Sequence, residues 1–226
     1  MPSQVIMSMH NISHIAAASG GIIYIMALLL LIALTLVIER AFYLFRALNA
    51  GTRLMRQLDE HTHPSLAQLR DLSGQYQGMP HERLLQTAID LRQEPDPSHA
   101  EARMEEAIMR EIPHIDRFLW MLDTIVTLAP LLGLLGTIIG MFNAFAVLSD
   151  ANNAPTQVTG GVAEALIATA CGLFIAILGL VAFNGLNNRV RVIMHHLETV
   201  KVMLLNRVKT PRRARNAAEN IQAEVA

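Results

Sequence analysis

Three stretches of the chain are almost free of charge. Residues Ile15 to Ile38 hold no Asp, Glu, Lys or Arg, and neither do Thr124 to Leu148. Val158 to Phe183 holds one such residue, Glu164. Each stretch exceeds the roughly 20 apolar residues that cross a hydrocarbon core about 30 Å thick. The pattern predicts transmembrane helices over residues 15–38, 121–148 and 158–184. Three runs of this length do not fit the buried core helices of a soluble domain. No Lys or Arg precedes Arg40, and the first run ends in Glu39-Arg40. It therefore reads as an uncleaved anchor, since a signal peptide wants a basic leader and a small-residue cleavage site.

Between the first two spans the pattern changes to short amphipathic segments. Leu66 to Leu72 and Glu82 to Leu91 read as short helices, punctuated by Gly74, Gly78 and Pro80. Pro95-Asp96-Pro97 is a break. Ser98 followed by Glu101 has the spacing of a capping box. Met104, Ile108, Ile112, Ile115 and Leu119 then recur at helical steps. The expectation is one long helix from there into the second span, kinked at Pro113 and Pro130. The third span likewise has no stop signal until Pro211, beyond which the tail is expected to fray. The aromatic residues beside Arg40 and Arg46 suggest an interfacial anchor with snorkelling arginines.

Charge adds an orientation. All 18 Lys and Arg fall between Arg40 and Arg117 or between Arg189 and Arg215. Basic residues favour the inner side. The N-terminal segment 1–14 and the loop 149–157 are thus placed outside. The helical domain 39–120 and the extension and tail 185–226 are placed inside. The basic tail suits an anionic inner leaflet better than nucleic acid. Composition agrees: 52% of residues are hydrophobic, only 16% are charged, and mean hydropathy is +0.35. The single cysteine, Cys171, excludes a disulfide framework, and no Cys/His spacing suits a metal.

Candidate chemistry is sparse. Gly133, Thr137, Gly140 and Ala144 share one helical face, and Gly136 and Gly140 form a GxxxG. Gly161, Ala165, Ala168, Gly172 and Gly179 make a second small-residue stripe. In lipid such stripes let backbones approach closely. They fit packing within one hairpin, and they fit packing of an oligomer around a cavity; two stripes look like more than one hairpin needs. Glu164 is the most informative residue, because a charge inside a bilayer costs about 2.5–3.5 kcal/mol on insertion scales. Near the outer end of its helix it can favour the helix dipole and reach headgroup water. Alternatively it lines a water-filled path, relays protons or pairs with a partner's charge. Thr137 and Thr169 can bond back to their own helix or line a polar pore. Ideal geometry puts Thr169 about 140° around the helix from Glu164. Asp123 reads as an ordinary helix-end charge, His61 and His63 as loop residues, and His195-His196 as interfacial. There is no phosphate-binding Gly loop, no His-Glu-x-x-His and no nucleophile–base pair, so no catalytic residue, cofactor or metal is assigned.

The runs LAPLLGLLGTIIGMFNAF (Leu128 to Phe145) and GGVAEALIATACGLFIAILGLVAFN (Gly160 to Asn184) resemble the signature of the MotA/TolQ/ExbB proton-channel family, most closely its ExbB branch. The resemblance implies an all-α integral membrane protein of the bacterial inner membrane. Its N-terminus would be periplasmic and its C-terminus cytoplasmic, with long cytoplasmic helical extensions. Five copies would form a ring around single-span ExbD-like partners that carry the protonated aspartate. Proton flow would energise a TonB-like protein and, through it, outer-membrane uptake of iron chelates and similar cargo. By position, Thr137, Glu164 and Thr169 match the family's polar pore residues. The family's late proline in the third span is replaced by the run Ala176-Ile177-Leu178-Gly179, so a kink there is not implied.

Two other readings remain open on the sequence. A TolQ-type subunit would use the same chemistry to maintain the outer membrane. A non-conducting membrane scaffold would explain the small-residue stripes, though not Glu164 with two threonines at matched positions.

Overall fold

A computed structural model describes the backbone of residues 21–60, 64–93, 98–148 and 155–225. Within these, side chains are described except at 147, 148, 155–159, 164 and 208–225. The expectations for residues 1–20, for His61 and His63, for Pro95 to Pro97 and for residues 149–154 lie outside the described residues. The described residues form six helices and no strand: α1 (Ile22–Glu60), α2 (Leu66–Gln75), α3 (Pro80–Gln93), α4 (Ala100–Ile115), α5 (Leu119–Leu148) and α6 (Pro155–Val225). Three helical stretches, in α1, in α4–α5 and in α6, are long and apolar enough to cross a membrane. Their most apolar windows are only 17%, 39% and 22% buried within the chain. A helix with so much uncovered apolar surface needs lipid or protein around it.

The chain divides into two compact units, one of residues 1–39 and 118–185, the other of residues 40–117 and 186–226. In the first unit, α5 and the opening part of α6 pack side by side through small residues, and Ile22 of α1 lies beside Gly136. In the second unit the core is conventional. Leu44, Leu54 and Leu58 of α1, Leu84 and Leu85 of α3, Met104 and Ile108 of α4, and Ile193 and Leu197 of α6 are all buried.

Several local expectations are corrected. The long helix into the second span is broken: α4 ends at Ile115 and α5 starts at Leu119. Phe118 has φ 66°, a left-handed conformation that no continuous helix contains. Asp116 closes α4 by donating its N–H to the Ile112 carbonyl. α4 begins at Ala100, with His99 at its capping position and no capping hydrogen bond from the His99 side chain. A complete capping box opens α2. There Ser65 accepts from the Gln68 N–H at 3.2 Å and donates its own N–H to Gln68 Oε1 at 2.7 Å. On α4 the buried face is Ala100, Met104, Ala107, Ile108, Glu111 and Ile115, while Ile112 is 38% exposed. At about 100° per residue, steps of four drift sideways, and Ile112 has turned roughly 80° from Met104. Glu111 takes its place on that face and pairs with Arg83 of α3 at 2.7 Å. The backbone of α6 stays helical through Pro211 to Val225, where the helix was expected to end.

Arg40 is a further correction. It is almost wholly buried. Its guanidinium donates to the His114 carbonyl at 3.2 Å, in the last turn of α4, and lies 5.3 Å from the Tyr43 ring centroid. A cation at the carbonyl end of a helix satisfies orphan acceptors and the dipole together, which outweighs a place at the headgroups. Arg46, Phe42 and Phe45 do remain exposed. Arg207 of α6 caps α1 in the same way, donating to the Leu58 carbonyl at 2.6 Å.

Candidate functional site: the small-residue hairpin and its threonines

The α5–α6 hairpin owes its closeness to the absence of side chains. A β-carbon on Gly172 would lie 2.5 Å from the Ala129 carbonyl oxygen and 3.2 Å from the Gly133 Cα. One on Gly133 would lie 3.0 Å from the Thr169 Cα. Further along, Gly136 faces the Ala168 methyl, Gly140 faces Ala165, and Gly161 faces the Ala144 methyl. At the other end Gly179 meets Val126. Residue numbers rise on one helix as they fall on the other, so this is an antiparallel seam. On α5 the contacts recur at steps of three and four residues, so one face of that helix meets α6 along the whole seam. Both stripes therefore face each other inside one chain, which a single hairpin uses up. The reading that two stripes exceed one hairpin's needs is corrected to that extent.

Thr169 sits within this seam. Its hydroxyl donates across the hairpin to the Gly133 carbonyl at 2.9 Å. The bond is possible only because neither Gly133 nor Gly172 holds the backbones apart. Thr137, nearly buried, turns its hydroxyl back to the Leu134 carbonyl of its own helix at 2.7 Å. Thus one threonine follows the usual back-bonding habit and the other ties two helices together. Glu164 lies in α6 between Gly161 and Ala165, both of which pack on α5. The position is therefore at the level of the Gly140–Ala144 end of the seam. Asp123 is in the first turns of α5, and its carbonyl accepts from Thr127 at 3.2 Å. Cys171 is exposed.

One group of residues had no local signal in the sequence. In the second unit, His81 of α3 and His196 of α6 converge on Gly51 of α1. A β-carbon there would lie 2.7 Å from His81 Nε2 and 2.7 Å from His196 Nδ1. His196 was read as interfacial; it is instead partly buried against the bundle. Only the fold brings residues 51, 81 and 196 together. No cluster of three or more metal-ligating side chains occurs among the described residues.

Comparison with known proteins agrees with the membrane hairpin. Residues 77–199 match the MotA/TolQ/ExbB proton channel family. The ExbB-like 3 protein of Synechocystis is 34% identical over 175 residues, covering 74% of this chain and 80% of that protein. The biopolymer transport protein ExbB of Neisseria meningitidis is 25% identical over 202 residues, covering 82% of this chain and 91% of that protein. The Tol-Pal system protein TolQ of Haemophilus influenzae is 45% identical over 91 residues, but covers only 40% of each chain. With three apolar helices long enough to span a bilayer and a family match over more than half its length, this multi-pass membrane protein belongs to the MotA/TolQ/ExbB proton channel family.

Proposed function

We propose that the chain is the ring-forming subunit of an ExbB-type motor in the bacterial inner membrane. It uses proton flow, with ExbD-like single-span partners, to drive a TonB-like protein and thereby outer-membrane uptake. The observation that carries this reading is a carboxylate, Glu164, placed in an apolar helix whose neighbours pack so tightly on α5. A charge is retained in such a place when it meets water, an ion or a partner's charge. Thr137 and Thr169 add hydroxyl groups along the hairpin. All Lys and Arg lie in the second unit, which supports a cytoplasmic second unit and a periplasmic N-terminus. The long-range relatives named ExbB support the uptake role.

A TolQ-type role is favoured by one observation. The highest of the three identities above, 45%, is to a TolQ protein over a shorter segment. Conduction and biology separate experimentally. Glu164→Gln protein, reconstituted with its single-span partner, should assemble as the parent does and lose proton flux. Full flux in that variant would refute the conduction role and leave a scaffold. Mass spectrometry of partners retained by the parent protein in mild detergent distinguishes the branches, an ExbD/TonB pair from a TolR/TolA pair.

A further inference from the structure

We propose that His81 and His196 form a proton-operated latch, which holds α3 against α1 and α6 while both imidazoles are neutral and releases α3 when one of them takes a proton.

The geometry is that of two bases forced together out of water. His81 is fully buried, and neither of its ring nitrogens has a hydrogen-bond partner. His196 Nδ1 is also buried without a partner. Because His81 Nε2 and His196 Nδ1 each lie 2.7 Å from one point above Gly51, they are at most 2.7 plus 2.7, or 5.4 Å, apart. Any residue but glycine at position 51 would push one of the rings away. A neutral imidazole tolerates such a place at modest cost; an imidazolium does not, because a buried charge needs a counter-charge.

Among the described residues, the charge that acts on His81 is that of His196, which has the same sign. From α6 the facing titratable group is His196 itself, with His195 beside it in sequence. From α1 it is the bare Gly51 backbone, and Arg53 acts on Tyr76 instead. On α3, Glu82 accepts from the Gly78 N–H and from Gln86, and Arg83 pairs with Glu111 of α4. Further along α6, Glu198 pairs with Lys201, which also holds Glu105 of α4. His81 is moreover in the first turn of α3, where the positive end of the helix dipole opposes a cation. Burial, and then the neighbouring His196, lower the His81 pKa to about 4. Burial, and then His195, lower that of His196.

The sign follows directly. A released α3 returns His81 to water, where its pKa is about 6.5. The docked state then binds fewer protons than the released one between about pH 6.5 and 4. Docking is therefore independent of pH above about 6.5 and weakens as pH falls below it. At pH 5.5 the release equilibrium should be roughly tenfold larger than the pH-independent limit from His81 alone. On the orientation proposed above, the latch faces the compartment that receives the conducted protons. The latch itself does not depend on that orientation or on conduction.

The test is hydrogen exchange of the full-length protein in detergent micelles at pH 7.5, 6.5 and 5.5, corrected for the intrinsic rate. Amides of α3 from Leu84 to Leu91 should open about tenfold more at pH 5.5 than at pH 7.5. Those of α5, in the other unit, should not change. His81→Gln should flatten the pH response of α3, and His196→Gln should reduce it. An α3 that opens equally across this range in the parent protein overturns the proposal, whatever the variants do. So does an undiminished response in His81→Gln. Because the readout is local opening, it stands apart from any proton-flux result.

Discussion

Gly172→Ala tests whether the hairpin's closeness is set by glycine. The new β-carbon would lie 2.5 Å from the Ala129 carbonyl oxygen, where about 3.3–3.6 Å is the ordinary carbon–oxygen contact. Backbone cannot swing aside as a side chain tip can, so α6 must retreat from α5 by about 1 Å locally. The Thr169 hydroxyl is one turn away on the same helix and bonds Gly133 at 2.9 Å. A retreat of that size stretches this bond beyond useful length. Overpacking costs about 1–3 kcal/mol and the lost interhelical bond about 0.6 kcal/mol. Alanine's better helix propensity returns about 1 kcal/mol. The net expectation is a loss of about 0.6–2.6 kcal/mol, or roughly a 3- to 80-fold shift in the unfolding equilibrium. Reversible unfolding in mixed micelles can follow it through Trp120, the only tryptophan. Gly185→Ala, in the same helix, is the control, because nothing lies within 4 Å of a β-carbon there. It should be neutral or gain up to about 1 kcal/mol. If Gly172→Ala proved as stable as Gly185→Ala, the close approach of α5 and α6 would not be what the glycines provide.

Two further outcomes follow from single hydrogen bonds. Thr169→Val keeps the shape but removes the donor to Gly133, and should destabilise by about 0.6–1.7 kcal/mol in the same assay, whereas Thr169→Ser should not. A valine variant indistinguishable from the parent would mean that the bond across the hairpin contributes nothing. Ser65→Ala removes one half of the α2 capping box and should cost about 1 kcal/mol. Faster amide exchange confined to the first turn of α2 would report it; unchanged exchange there would show that the cap is idle.

What the sequence revealed depended on how local its cause was. The apolar stretches were legible because lipid imposes length and uniformity, which a window of residues displays. The small-residue stripes were legible as faces, but the residues alone did not say what each face met. The partner became plain only when Gly133 was seen against Thr169 and Gly172 against Ala129. The break at Phe118 carried no warning, for neither glycine nor proline occupies residues 116–118. Pro113, the obvious suspect, is accommodated inside α4. One cap spacing was overlooked. Ser65 and Gln68 form the motif with the equally valid glutamine in place of glutamate. Arg40 was read as a surface anchor, since nothing nearby in the chain reveals a helix end some 74 residues later. The meeting of His81 and His196 over Gly51 is of the same kind. Where a property arises from contacts between distant segments, local patterns are silent about it.

The two hairpin threonines share a feature with an electrical consequence. A hydroxyl has one proton to give and two lone pairs to receive with. Thr169 has given its proton to the Gly133 carbonyl and Thr137 has given its own to Leu134. What each oxygen still offers is electron density alone. A water molecule arriving at either would have to approach hydrogen-first, and an anion would find nothing to hold it. In the proposed conducting role, the threonines would thus act as a fixed pair of electron donors, polarising incoming water one way and favouring hydronium over hydroxide or chloride.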